Sequence, residues 1–241
     1  KYSLNVENST LSAEVPVIVR KTTGEYYNLT VAEDVTLTAA NNGPQVVVTA
    51  GDDDVPYVAP TVKVNVTLNN DASTFGLTAK IGNTYYSTLD EAFAVATEDQ
   101  TIVLLADATP ALTSQRAITK AAVIDLNGKT LTLAEDDLYF GTTTFKNGNI
   151  VVDPSVVAST AVFWMFENQT LTFDDVELTA TGVTGTYLIG INGGTGSNVN
   201  LLNGTKIIID NESQAALSAV ICDNGTGNNV NIENSDIDVK N

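Results

Sequence analysis

Residues 123–133 read VIDLNGKTLTL. Two alternating apolar runs flank an Asn-Gly pair, which by local rules is a β-hairpin signal. The rest of the chain gives the same stretch another meaning. LIGINGGTGSNVNLLNG begins at Leu188, and AVICDNGTGNNVNIENS begins at Ala219, 31 residues later. Gly194, Thr195, Gly196, Asn198, Val199 and Asn200 match Gly225, Thr226, Gly227, Asn229, Val230 and Asn231. This is an internal repeat, and repeats decide architecture before local signals do. A weaker copy, VFWMFENQTLTFDDVEL, lies upstream with a shorter first turn.

Each copy has one plan. An apolar strand leads into a Gly- and Asn-rich turn, and a short alternating strand follows (Leu171/Phe173, Val199/Leu201, Val230/Ile232). A polar corner comes next, at Asp174-Asp175, Asn203-Gly204 or Asn234-Ser235, and a third strand closes the unit. Asn127-Gly128 and Asn147-Gly148 read as the same corner. Counted from Leu126, the equivalent apolar residues are Phe145, Phe173, Leu201 and Ile232, in steps of 19, 28, 28 and 31. Three short strands per turn at such a step describe a parallel β-helix, with rungs stacked about 4.8 Å apart. VIDLNGKTLTL is then a corner of a solenoid rather than a hairpin. Corner Asn side chains are expected to stack in hydrogen-bonded ladders.

The chain has 241 residues, room for one large domain or two ordinary ones. Eleven Lys+Arg against 29 Asp+Glu leave a net charge of −18, which repels nucleic acid and anionic lipid. Hydrophobic content of 43% argues against disorder, and the abundance of Thr and β-branched residues is β composition. There is no His, which removes the usual general base, triad partner and metal ligand together. A single Cys excludes an intrachain disulfide. No apolar run is long enough for a membrane-spanning helix. The chain starts at Lys1, which reads as a processed chain, so the missing signal peptide says nothing about secretion. Seven Asn-x-Ser/Thr triplets occur, where so much Asn and Thr produces about four or five by chance.

STLDEAFAVATEDQ (87–100) carries the helix signal. Thr88 and Glu91 have capping-box spacing, and Leu89, Ala92, Phe93 and Ala96 share one face. It reads as an N-terminal plug for the solenoid, with TIVLLAD (101–107) as the first buried strand. The motifs Tyr-x-Thr-Leu-x-Glu-Ala, then Ile-Val-Leu-Leu, then Ile-Asp-Leu-Asn-Gly-Lys-Thr-Leu lie in KIGNTYYSTLDEAFAVATEDQTIVLLADATPAL…ITKAAVIDLNGKTLTL. In these the chain resembles right-handed parallel β-helix domains of the pectate-lyase-like superfamily, and more narrowly those of surface adhesins of gut bacteria. The resemblance covers about 80–241 and implies fold far more than chemistry.

Residues 1–79 read differently. VKVNVTL (62–68) alternates strictly, and YSLNVE, VPVIVRK, YNLTVA, VTLTAA and QVVVTA are further strands set apart by turn residues. That spacing predicts a small antiparallel β-sandwich, immunoglobulin-like or fimbrillin-like. The expected organisation is an all-β chain, with a sandwich over 1–79 and a right-handed parallel β-helix with its capping helix over 80–241.

Several residues are candidates for chemistry. Asp52, Asp53 and Asp54 form an acidic loop, but their spacing fits no calcium loop. Asp174 and Asp175 sit at a corner, where glycoside hydrolysis would need further acids within about 5–10 Å. The equivalent corners carry Asn127, Asn147, Asn203 and Asn234, which do not transfer protons. Lyases of the resembled fold use calcium-binding acids and a basic residue. Only Arg20 and Arg116 are arginines, in a different domain and in a loop respectively. Cys222 aligns with Ile191 in the repeat and reads as core. Tyr85, Tyr86, Tyr139, Phe140, Trp164 and Tyr187 are the aromatics that could stack on sugars or pack inside. The Gly-rich turns lack the Lys and the helix of a phosphate loop.

No catalytic residue, cofactor or metal ligand is therefore assigned. The expected role is non-enzymatic adhesion or glycan binding, secreted or on a bacterial cell surface, with a polysaccharide or surface glycoprotein as partner. A polysaccharide lyase or glycoside hydrolase is the second expectation, and a structural spacer the third.

Overall fold

The computed structural model describes residues 77–82, 84–86, 88–113, 118, 120–191, 195–210, 217 and 219–240, and seven strand backbones between residues 2 and 67. The chain divides into two compact units, 1–95 and 96–241.

In the first unit the strands are β1 (Tyr2–Val6), β2 (Thr10–Ala13), β3 (Val17–Lys21), β4 (Tyr27–Val31), β5 (Thr36–Ala39), β6 (Val46–Ala50) and β7 (Val64–Thr67). They do not pair as an antiparallel sandwich. β1 pairs parallel with β4 and β4 with β7, while β2 pairs parallel with β5 and β3 with β6. Strands recur three by three, as in a solenoid rung. Alternation and turn spacing are the same for a sandwich strand and a solenoid strand. Only a repeat separates them, and here the steps differ, from Tyr2 to Tyr27 and from Tyr27 to Val64. A short antiparallel pair, β8 (Ala79–Ile81) and β9 (Thr84–Tyr86), precedes helix α1 (Leu89–Val95). The capping box is formed: the Glu91 N–H donates to Thr88 Oγ1 at 3.3 Å and the Thr88 N–H to Glu91 Oε2 at 3.4 Å. α1 buries Leu89, Ala92 and Phe93, and packs on β8 and β9.

The second unit is a parallel β-solenoid with three full rungs between partial ones. Its strands are β10 (Thr101–Leu104), β11 (Val123–Asp125), β12 (Thr130–Leu133), β13 (Thr143–Val152), β14 (Val157–Met165) and β15 (Thr170–Thr179). They continue with β16 (Thr184–Ile191), β17 (Asn198–Leu202), β18 (Lys206–Asp210), β19 (Ala219–Asp223), β20 (Asn229–Ile232) and β21 (Asp236–Lys240). β11 and β12 pair with β13 in parallel and not with each other, so VIDLNGKTLTL is a corner.

Three sheets result. The first stacks β10, β11, the start of β13, the start of β15, β17 and β20. The second stacks β12, the ends of β13 and β15, β18 and β21. The third stacks β14, β16 and β19. The inward column of the first sheet is Ile102, Ile124, Phe145, Phe173, Leu201 and Ile232. Phe145 therefore stands on Ile124, not on Leu126 as the sequence count had it. The corner after β11 is longer by two residues than the one inside β13, and this absorbs the difference.

The corner from first to second sheet explains the Asn residues. Asn127, Asn147, Asp175, Asn203 and Asn234 all have φ between 48° and 58°. Asn and Asp are the non-glycine residues that tolerate this left-handed region. Their amides also tie rung to rung. Asn127 Nδ2 donates to Leu104 O at 3.0 Å, Asn147 Nδ2 to Asp125 Oδ1 at 3.1 Å, and Asn203 Nδ2 to Asp174 Oδ1 at 2.6 Å. On the outer face of the first sheet, Asn198 Nδ2 donates to Thr170 Oγ1 at 3.2 Å and Asn229 Nδ2 to Asn198 Oδ1 at 3.1 Å.

The core is aromatic at its centre. Phe145 and Phe173 stack at 5.6 Å, Phe163 of the third sheet meets Phe173 edge-on at 5.4 Å, and Phe140 meets Phe145 edge-on at 4.9 Å. All four rings are buried, in the offset and edge-to-face geometries that aromatic quadrupoles favour.

Candidate functional site

The third sheet is the irregular one. β14 and β16 are in register from Ala161↔Tyr187 to Met165↔Ile191, with a bulge between Ala158 and Ala161. Phe163 and Ile189 point inward, so Trp164 lies on the outer face, half-buried. Its register partner is Gly190, and the indole lies across that glycine. A Cβ there would stand 3.1 Å from Trp164 Cε3 and 3.0 Å from Ala161 Cβ. Only a residue without a side chain lets the ring lie down on the strand.

Leu138 bridges to Phe163, which puts Tyr139 in the same outer column as Trp164, one rung earlier. Tyr139 packs on Phe166 with ring centroids 4.7 Å apart, and Phe166 is 42% exposed. Burial, and then the charge of Asp137, holds the Tyr139 hydroxyl above its ordinary pKa. Tyr187 is also half-buried, and the neighbouring Cys222 side chain, through hydrogen bonding first and electrostatics second, raises its phenol above the ordinary value. Tyr139, Phe166 and Trp164 thus form an aromatic strip over two consecutive rungs. The first is held by stacking on the second, and the third by a glycine.

The chain runs from this strip directly into a cleft at the corner between third and first sheets. The cleft, of about 610 Å³, is lined by Glu98, Lys120, Thr142, Glu167, Asn168 and Gln169, over Phe140 and Gly141. Its rim is braced: the Phe166 N–H donates to Gln169 Oε1 at 2.8 Å and the Asn168 N–H to Thr195 O at 3.0 Å. Amide, ammonium, carboxylate and hydroxyl groups beside apolar rings can hydrogen-bond ring hydroxyls while stacking on C–H faces.

A second groove, of about 550 Å³, follows the corner between first and second sheets. Asn147, Asn149, Asp175, Glu177 and Lys206 line it. Glu177 and Lys206 are in register on adjacent rungs. Asp174 does not line this groove. It accepts from Asn203 and stands in register with Lys146, whose Nζ is 3.3 Å from Asp125 Oδ2. The sequence pair Asp174-Asp175 is therefore split.

Of the six aromatics singled out from sequence, Tyr139 and Trp164 come together in one outer column, and Tyr187 is half-buried on the next rung, opposite Ala161. Tyr86 and Phe140 are buried, and the Tyr85 side chain lies outside the described residues. Cys222 is not core. It stands in register with Gly190 on the outer face and is half-buried, while Asp223 takes the place opposite Ile191. The sequence repeat has a step of 31 in the first sheet, but the third sheet has a step of 32, from Ile189 to Ile221. One residue of slip exchanges inside for outside. Asp52, Asp53, Asp54 and Arg116 lie outside the described residues, as does the Arg20 side chain. Among the described residues no three His, Cys, Asp or Glu side chains gather as metal ligands. Phe166, Glu98, Lys120, Glu167 and Gly190 gave no signal in the sequence, because each gains its place only from the stacking of rungs.

No family model matches the chain, and neither a curated protein nor a solved structure does.

Proposed function

We propose that this chain is a non-enzymatic adhesion or glycan-binding protein, secreted or held at a bacterial cell surface, built on a right-handed β-helix of the pectate-lyase-like kind. The observation that carries this reading is the aromatic strip Tyr139, Phe166 and Trp164 beside the polar cleft of Glu98, Lys120, Glu167, Asn168 and Gln169. Exposed rings supply stacking area at low entropic cost, and the amides supply directional contacts. The partner is a polysaccharide or a surface glycoprotein.

The test is a panel of neutral and acidic polysaccharides, with and without calcium, read for both binding and product length. Binding without shortening, lost in Trp164→Ala, is expected. No binding to any polymer on the panel, or to surface glycoproteins assayed beside it, leaves the spacer role.

An enzymatic reading has one observation in its favour, the meeting of Asp175, Glu177 and Lys206 in the second groove. It requires that a polymer on the panel shorten, and that Glu177→Gln stop the shortening.

A further inference from the structure

The aromatic strip and the cleft beside it share one electrostatic character. Residues 96–241 hold six Lys or Arg against 18 Asp or Glu. Lysines of the first two sheets are already answered: Lys146 stands in register between Asp125 and Asp174, and Lys206 between Glu177 and Asp236. The third sheet, whose strands read VASTAVFWM, TGTYLIGI and AVICD, has no basic residue. Acids edge it instead. Glu135, Asp136 and Asp137 lead into Leu138 and Tyr139, the Ser159 N–H donates to Asp136 Oδ2 at 2.8 Å, and Glu167 follows Phe166. Asp137 already acts on the strip, since its charge adds to burial in raising the Tyr139 phenol. Among the cleft's lining residues Lys120 is the one cation, beside Glu98 and Glu167, and all three are exposed.

The hydrogen-bonding groups narrow the ligand further. The carboxylates of Glu98 and Glu167 only accept, and the Lys120 ammonium only donates. Gln169 Oε1 is taken by the Phe166 N–H, so its two amide hydrogens remain to donate. Thr142 Oγ1 accepts from the Thr170 N–H at 3.2 Å, which leaves its hydroxyl proton to donate. A sugar hydroxyl both donates and accepts, so it answers every one of these groups. A carboxylate or sulfate only accepts, meets two carboxylates it cannot bond, and enters a negative field. An ammonium only donates, and sets like charge against Lys120.

We propose that the ligand of this face is a neutral, hydroxyl-rich glycan chain, free of carboxylate, sulfate and ammonium groups. The proposal rests on the glycan reading above and adds the class of glycan to it. Selection comes from what a charged chain leaves unanswered, rather than from extra contacts to a neutral one.

Binding of the chain 1–241 to matched pairs that share a backbone tests it, at low ionic strength. The anionic pairs are hydroxyethylcellulose with carboxymethylcellulose, dextran with dextran sulfate, and methyl-esterified with de-esterified homogalacturonan. The cationic pair is acetylated with deacetylated chitooligosaccharide. In any pair that binds, the neutral member is expected to bind roughly tenfold more tightly or better. Glu98→Gln combined with Glu167→Gln, both at exposed positions, should narrow the preference in the anionic pairs by roughly tenfold while circular dichroism stays unchanged. Raising the ionic strength should narrow it too, because exposed charges are screened. A charged member bound as tightly as its neutral partner, with or without calcium, would overturn the proposal and leave the glycan reading in place. A preference that the double variant leaves unchanged would overturn it as well. No binding to any member would remove both.

Discussion

The first and third sheets of the solenoid stack the same rungs by different means. The first keeps unbroken register from β10 to β20, turns its corners from β11 onward through a left-handed Asn or Asp, and covers its outside with Thr and Asn ladders. The third has a bulge, a step of its own, and aromatic side chains outside. Regular pairing holds the rungs together, and irregular pairing aims side chains. The two sheets meet in the Phe145–Phe173–Phe163 cluster, so one core supports both.

The largest test of that division is Phe173→Ala, which empties the meeting point. It should cost about 3–5 kcal/mol in chemical denaturation. Trp164→Ala, on the outer face, should cost far less stability while removing glycan binding. Equal stability losses would erase the distinction. Gly148→Ala attacks the first sheet's corner, where a new Cβ would stand 2.7 Å from Leu126 Cβ and 2.8 Å from Lys129 O. Overpacking of this kind should cost about 1–3 kcal/mol, read as a fall in denaturation midpoint. Gly190→Ala lifts the indole instead. A red shift of the single tryptophan's emission is expected, with weaker glycan binding and a smaller stability loss than Gly148→Ala.

Removing a rung-to-rung hydrogen bond, as in Asn203→Gly, keeps the left-handed corner open to the backbone and should cost about 1 kcal/mol. The smallest effect concerns Tyr187. Its phenol is raised by Cys222, so the neutral form is favoured in the fold. That contribution is fully present below the ordinary tyrosine range near pH 10 and fades as pH rises through the raised value. Cys222→Ala should bring one tyrosine back toward the ordinary range in an ultraviolet titration, and an unchanged curve would exclude the Tyr187–Cys222 bond.

How much of this was legible follows the same division. The corners were readable because Asn and Gly at fixed places answer a backbone demand that few residues meet, and the repeat from Asn198 to Asn229 confirmed their spacing. The third sheet was not, because its step differs from the repeat by one residue, which misplaced Cys222. The first unit misled for a related reason: alternation in VKVNVTL records a half-buried strand and is silent on the direction of its neighbour. The cleft was hidden because Glu98, Lys120, Thr142 and Glu167 lie on four successive turns, each unremarkable in its own segment.

The corner geometry has a chemical consequence as well. Asn-Gly is the sequence most prone to ageing by deamidation, in which the glycine nitrogen attacks the Asn side-chain amide and closes a succinimide. At Asn127-Gly128 and Asn203-Gly204 that nitrogen is engaged, since the Gly128 N–H donates to Asn147 O and the Gly204 N–H to Asn234 O, each at 2.7 Å. Each rung thus shields the corner of the one before it. The slow appearance of isoaspartate at these two sites would act as a clock for how often neighbouring rungs part.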